Sequence, residues 1–99
     1  MFVDDVVSAN LLAASVDDAK GRVFNIGTGR YTRIHRLWEA IQDISGCRRT
    51  PEFLPERPGD IRESVADIAQ ARYRLGFQPV CPFENGLAAT YHWYRDLGP

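Results

Sequence analysis

Apolar residues recur along the chain with helical and strand periods, and each run predicts an element. Between residues 4 and 16, Val7, Leu11 and Ala14 share one helical face, with Val6, Ala9 and Ala13 at its edge. Asp4 or Asp5 is placed to cap that helix, and Lys20-Gly21 ends it. Residues 22 to 26 read as a short strand, broken by Gly27-Thr28-Gly29. Thr32 then stands as the N-cap of a second helix. Its stripe of Ile34, Leu37, Trp38, Ile41 and Ile44 is the clearest periodic signal in the chain, and Gly46 stops it. Glu52, Phe53 and Leu54 lie between Pro51 and Pro55 as a second short strand, followed by a loop over 55–59. Asp67 caps a short helix with Ile68, Ala71 and Leu75 inward and Gly76 at its end. Pro82 and Phe83 open a last helix with Phe83, Leu87, Tyr91 and Tyr94 on one stripe and Trp93 alongside.

This order predicts an α/β fold: a small lobe of about four helices and two short parallel strands, joined as a right-handed βαβ crossover. Two parallel strands make a poor sheet, because parallel sheets need further neighbours and cover on both faces. The pattern therefore implies a missing partner, either another part of the same enzyme or another copy of the chain. A length of 99 residues allows one small domain with a modest core. A net charge of -1 draws the chain toward neither nucleic acid nor membrane, and its apolar runs are too short to span a bilayer. Met1 to Val7 carries two aspartates and no basic stretch, so no signal peptide is read there. The two cysteines, Cys47 and Cys81, have no metal-binding spacing, and the reading is a reduced, cytoplasmic protein without a disulfide.

Charge changes the picture locally. Seven basic residues and two acidic ones lie between Lys20 and Arg49, a stretch read as a solvated surface rather than a nucleic-acid patch. Gly27-Thr28-Gly29 follows a strand and precedes a helix, the context of a dinucleotide loop. The third glycine of such a loop would fall at Thr32, so a structural turn is the reading. His35, beside an apolar stripe, and His92, among aromatic residues, read as surface or packing histidines. In the loop Arg57-Pro58-Gly59-Asp60 a guanidinium offers a planar fork to phosphate oxygens, and a carboxylate suits a vicinal diol. By its residues alone that loop reads first as a solvated turn with an Arg57–Asp60 surface pair.

Four phrases in fixed order carry a resemblance. They are Phe2-Val3-Asp4-Asp5-Val6-Val7, Val23-Phe24-Asn25-Ile26-Gly27-Thr28-Gly29, Arg57-Pro58-Gly59-Asp60-Ile61-Arg62, and Ala66-Asp67-Ile68-Ala69-Gln70-Ala71-Arg72 with Leu75-Gly76-Phe77 behind it. Gly86-Leu87 and Trp93-Tyr94 extend the match. Together they resemble the C-terminal, substrate-binding region of the NAD-dependent nucleotide-sugar epimerases and dehydratases, extended short-chain dehydrogenases of which UDP-glucose 4-epimerase is typical. The resemblance implies that residues 1–99 are the substrate-side lobe of a Rossmann-type enzyme whose N-terminal NAD domain is absent here. It implies that Arg57 contacts the diphosphate of a nucleoside diphosphate sugar, that Asp60 accepts from ribose hydroxyls, and that Arg62 also faces phosphate. The family's Tyr-x-x-x-Lys pair has no counterpart: the one lysine is Lys20, and Val16 stands four residues before it. The chain is thus expected to hold no catalytic residue and no cofactor, to be inactive alone, and to bind a sugar nucleotide weakly or not at all. A homo-oligomer is expected. The rival reading is a standalone oligomerisation or protein-interaction module derived from that lobe.

Overall fold

The computed structural model describes residues 1–60 and 63–98. Helix α1 (Val3–Ser15) opens on Phe2 in an extended conformation, with no side-chain cap. Neither Asp4 nor Asp5 serves as the predicted cap. Asp5 turns inward instead and is 1% exposed. Its Oδ1 accepts from the Val80 N–H at 3.1 Å and its Oδ2 from the Cys81 N–H at 3.2 Å. That anchoring sets the rotation of α1. The covered face is Asp5, Ala9, Leu12 and Val16, while Val7, Leu11 and Ala14, the predicted inner face, lie exposed. Apolar periodicity could not reveal this, because the residue that fixes the helix is a carboxylate.

A 3-10 turn at Asp17–Ala19 follows, with Ala19 buried. The core is small. Ala9, Ala19, Ile68, Ala71, Leu75 and Phe77 form it, with Leu12, Val16, Phe24, Ile26 and Ala66 packed around them. The segment from Asp67 forms as predicted. Asp67 Oδ1 accepts from the Ala69 N–H at 2.9 Å, Ile68, Ala71 and Leu75 are buried, and Gly76 closes the turn. Its last part, Ala71–Leu75, widens into a π turn, which ends with the Phe77 N–H on the Ala71 carbonyl at 3.2 Å. Arg74 lies over the outside, held by Asp18 at 3.1 Å and Gln70 at 2.8 Å.

Helices α2 (Ile34–Ser45) and α3 (Phe83–Leu97) pack against each other. Arg33, not Thr32, occupies the N-cap of α2, and no side chain caps it. Ala40 is buried and Leu37, Trp38, Ile41 and Ile44 are half-buried, but Ile34, the first residue of the predicted stripe, is 80% exposed. On α3, Phe83, Leu87 and Tyr91 are half-buried while Trp93 and Tyr94 are exposed. Gly86 is required by close approach: a Cβ there would lie 2.9 Å from the Cβ of Phe2. An ion pair at 2.6 Å joins Arg36 of α2 to Glu84 of α3. The Glu84 carboxyl is held below its ordinary value of 4.5, first by a backbone hydrogen bond at Glu84 and then by Arg36.

Among the described residues no strand is paired, so the predicted βαβ crossover is not formed within them. Residues 22–26 keep the strand alternation, with Phe24 and Ile26 half-buried and Val23 and Asn25 exposed. Around 52–54 both Phe53 and Leu54 face solvent. A strand needs a neighbour to complete its ladder, and the described residues bring none to either segment. The chain is also spread out. Its radius of gyration is 16.7 Å, where a compact domain of this length has about 13 Å. Its accessible surface is 8159 Å², against about 5700 Å² for a compact monomer of this mass.

Two outcomes follow from the anchor and the ion pair. Asp5→Ala leaves two backbone N–H groups without their charged acceptor and is expected to destabilise the fold by roughly 2–4 kcal/mol, read by urea denaturation. Glu84 has a folded-state pKa below its unfolded one. Its contribution is therefore present above the unfolded value and disappears as pH falls through the folded value. Glu84→Gln should differ from the parent in stability at neutral pH, less so in high salt, and the difference should begin to shrink below the ordinary value of 4.5 and vanish once pH is below the folded-state value, checked by thermal melts.

Candidate functional site

Arg57, Pro58, Gly59 and Asp60 form a tight turn. Proline fixes φ at the second position, Gly59 takes φ +88 at the third, and the Asp60 N–H reaches the Arg57 carbonyl at 3.2 Å. These are the marks of a type II turn, which demands positive φ where the glycine stands. The turn brings an exposed guanidinium and an exposed carboxylate to its two ends. Arg62, the third expected substrate-binding residue, lies outside the described residues.

The loop that carries this turn is tied to the surface of α2. Gly46, in the left-handed conformation, ends the helix and reverses the chain. The Arg49 N–H then reaches Gln42 Oε1 at 2.8 Å, and Arg48 pairs with Asp43 at 2.6 Å. Further on, the Phe53 ring stacks on the His35 ring with centroids 6.2 Å apart and planes at 29°. His35 Nε2 meets Glu39 Oε1 at 2.9 Å.

An open groove of about 1110 Å³ runs between residues 26–37, 64–66 and 79–87, with Met1 and Phe2 on its wall. Arg30, Arg33, Arg36 and Arg72 line it, and Glu84 occupies Arg36. Neither Arg57 nor Asp60 lines this groove, so the turn and the groove are separate features. Arg30, Arg33 and Arg36 belong to one basic stretch of the sequence, but only folding adds Arg72, far along the chain.

Gly27-Thr28-Gly29 forms a close-packed turn on the groove wall. A Cβ on Gly27 would lie 3.1 Å from the Cβ of Ala66, and one on Gly29 would lie 3.4 Å from Ile68, so the glycines admit protein neighbours. Thr28 Oγ1 accepts from the Arg30 N–H at 3.2 Å, which closes the turn on itself. His92 meets Tyr91 edge-on at 5.6 Å. Cys47 and Cys81 are free thiols. Among the described residues no His, Cys, Asp and Glu cluster suits a metal, and no helix is long and apolar enough to cross a membrane.

No protein-family model matches the chain. UDP-glucose 4-epimerase of Mycolicibacterium smegmatis is 41% identical over 96 residues, which cover 97% of this chain and 30% of that protein. The crystal structure of UDP-glucose 4-epimerase from Thermotoga maritima with UDP-glucose superposes with a TM-score of 0.86 at 41% identity, over 96% of this chain and 30% of the other. UDP-N-acetylglucosamine 4-epimerase from Methanobrevibacter ruminantium, in complex with UDP-N-acetylmuramic acid, gives a TM-score of 0.86 at 34% identity over 98% of this chain and 31% of its own. The chain therefore spans about 30% of the length of the relatives it matches. Similarity of this depth, in sequence and in fold alike, runs over nearly all of the residues here, and the chain corresponds to a C-terminal part of the epimerase family.

Proposed function

We propose that residues 1–99 are the substrate-side lobe of a nucleotide-sugar epimerase or dehydratase, in which the turn at 57–60 holds the nucleotide. The Arg57 guanidinium donates to the diphosphate oxygens, and the Asp60 carboxylate accepts from the ribose hydroxyls. Arg62 serves as a further phosphate ligand. One observation carries this reading: a type II turn sets a cation and an anion at its two ends, within a sequence 41% identical to an epimerase. The chain's own chemistry stops at binding. The glycines at 27 and 29 pack against protein, so NAD is assigned to residues outside this chain, and no hydride or proton step is assigned to these residues. In the same reading, residues 22–26 and 52–54 gain ladder partners from the remainder of a longer Rossmann-type enzyme, which also covers the expanded surface. The setting is cytoplasmic.

Affinity follows from the number of contacts. Charge-assisted hydrogen bonds contribute about 1.5–3 kcal/mol each, and association costs an estimated 4–15 kcal/mol, so two or three contacts on an open turn roughly cancel. UDP is expected to bind with a dissociation constant in the millimolar range or weaker, with NMR shifts centred on Arg57 and Asp60 and lost in Arg57→Ala. The same sample with NAD and a UDP-sugar should show no turnover above a denatured control. A micromolar constant that survives Arg57→Ala would place the nucleotide elsewhere.

A second reading, association as a module, is favoured by the outer face of α1. Val3, Val7 and Leu11 stand there at 60%, 49% and 66% exposure, four residues apart and therefore in one stripe. Apolar stripes of this kind find cover, and a two-fold pairing of copies is the commonest solution. Sedimentation velocity should find a dimer or larger species that Leu11→Lys dissociates. A clean monomer at high concentration would exclude association through α1.

A further inference from the structure

We propose that the stacked His35–Phe53 pair is a clip that positions the Arg57–Asp60 turn, making both rings positioning residues for sugar-nucleotide binding. The proposal rests on the reading of that turn given above. It starts from the path of the loop. Gln42 holds the Arg49 N–H near the C-terminal end of α2, and His35 holds Phe53 in its first turn. Gln42 and His35 lie about 10 Å apart along the helix axis at ~1.5 Å per residue. An extended chain from Arg49 to Phe53 covers about 13 Å at ~3.3 Å per residue. The two spans agree, so the loop runs back along α2 and is fastened at both ends of that run.

The fastenings differ in kind. Arg48–Asp43 is an ion pair between exposed groups, and salt screens it. The Gln42 bond holds backbone, but at the end remote from the turn. Of these three fastenings to α2 the ring stack is the closest in sequence to Arg57, and Glu39 orients the imidazole from one helical turn away. Between Phe53 and Asp60 the chain contains Pro55 and Pro58, whose rings fix φ and shorten the list of conformations. A stiff link transmits the place of the clip to the turn. Phe53 is 77% exposed and lies outside the core cluster, so its replacement tests position without testing folding.

The full 99-residue chain can be labelled with nitrogen-15, and the amides of residues 54–60 followed in the parent, His35→Ala, Phe53→Leu and Phe53→Trp proteins. Phe53→Leu keeps an apolar side chain but removes the ring; Phe53→Trp keeps a ring. His35→Ala and Phe53→Leu should lower the order parameters of 54–60 while the Val80 and Cys81 amides, held by Asp5, stay unchanged. Phe53→Trp should restore the order. In titrations with UDP, both ring-removing variants should weaken binding about threefold to tenfold relative to the parent. Unchanged order in Phe53→Leu would overturn the clip, whatever UDP does. Lost order with undiminished UDP binding would overturn the positioning role. Lost order in the variants, with a parent that gives no UDP response at 57–60, supports the clip and overturns the assignment of Arg57 and Asp60 instead.

Discussion

A buried carboxylate joins the two ends of this chain. Removing Asp5 from water carries a large cost, offset here by two backbone N–H groups that point at its oxygens. Those donors lie just before α3, so the carboxylate fixes where the last helix starts. The side chain of Phe2 then fits against Gly86, where any larger residue would collide with it. From α3 the dependence passes to α2 through Arg36 and Glu84, and from α2 to the loop that carries Arg57 and Asp60. Each link is local, yet the position of the turn relative to α1 depends on all of them.

What was legible in the sequence was what periodicity and turn chemistry encode. The second and last helices follow from their apolar stripes, and the short element after Asp67 follows from its cap, its three inward residues and Gly76. The Pro58-Gly59 turn was equally readable, because few backbones other than a type II turn use that pair in that order. The rotation of α1 was not. Val7 and Leu11 look like core residues to any rule that counts apolar positions, and a rule of that kind cannot foresee a buried Asp5. The caps failed for a related reason. Asp5 was assigned locally to its own helix, whereas it bonds residues far along the chain, and Arg33 begins α2 one residue after the threonine expected there.

The strands show a different limit. Phe24 and Ile26 turn toward the core and Val23 and Asn25 away from it, yet the short strand expected at 22–26 does not form. The ladder is a property of two segments, and among the described residues none pairs with this one. The same holds for the surface. A chain with about 40% more accessible area than a compact monomer of its mass has apolar groups whose covering cannot be read from their own sequence. Val3, Val7 and Leu11 are such groups.

That open surface bears on how the proposed site would work. Guanidinium and carboxylate on an open turn are hydrated in the free state, and each must shed water before it meets a nucleotide. Their identity alone therefore yields little affinity. What the fold adds is place: a type II turn that restricts the backbone between Arg57 and Asp60, and a loop fastened along α2 that restricts where the turn sits. Preorganisation of this kind lowers the entropy lost on binding without adding a contact. An opposing wall from a longer protein would add desolvation and further contacts on the far side of the nucleotide. Under the proposed reading the turn would be weak in isolation and still decisive beside such a wall, because the second set of contacts would then act on a ligand that has already lost its freedom.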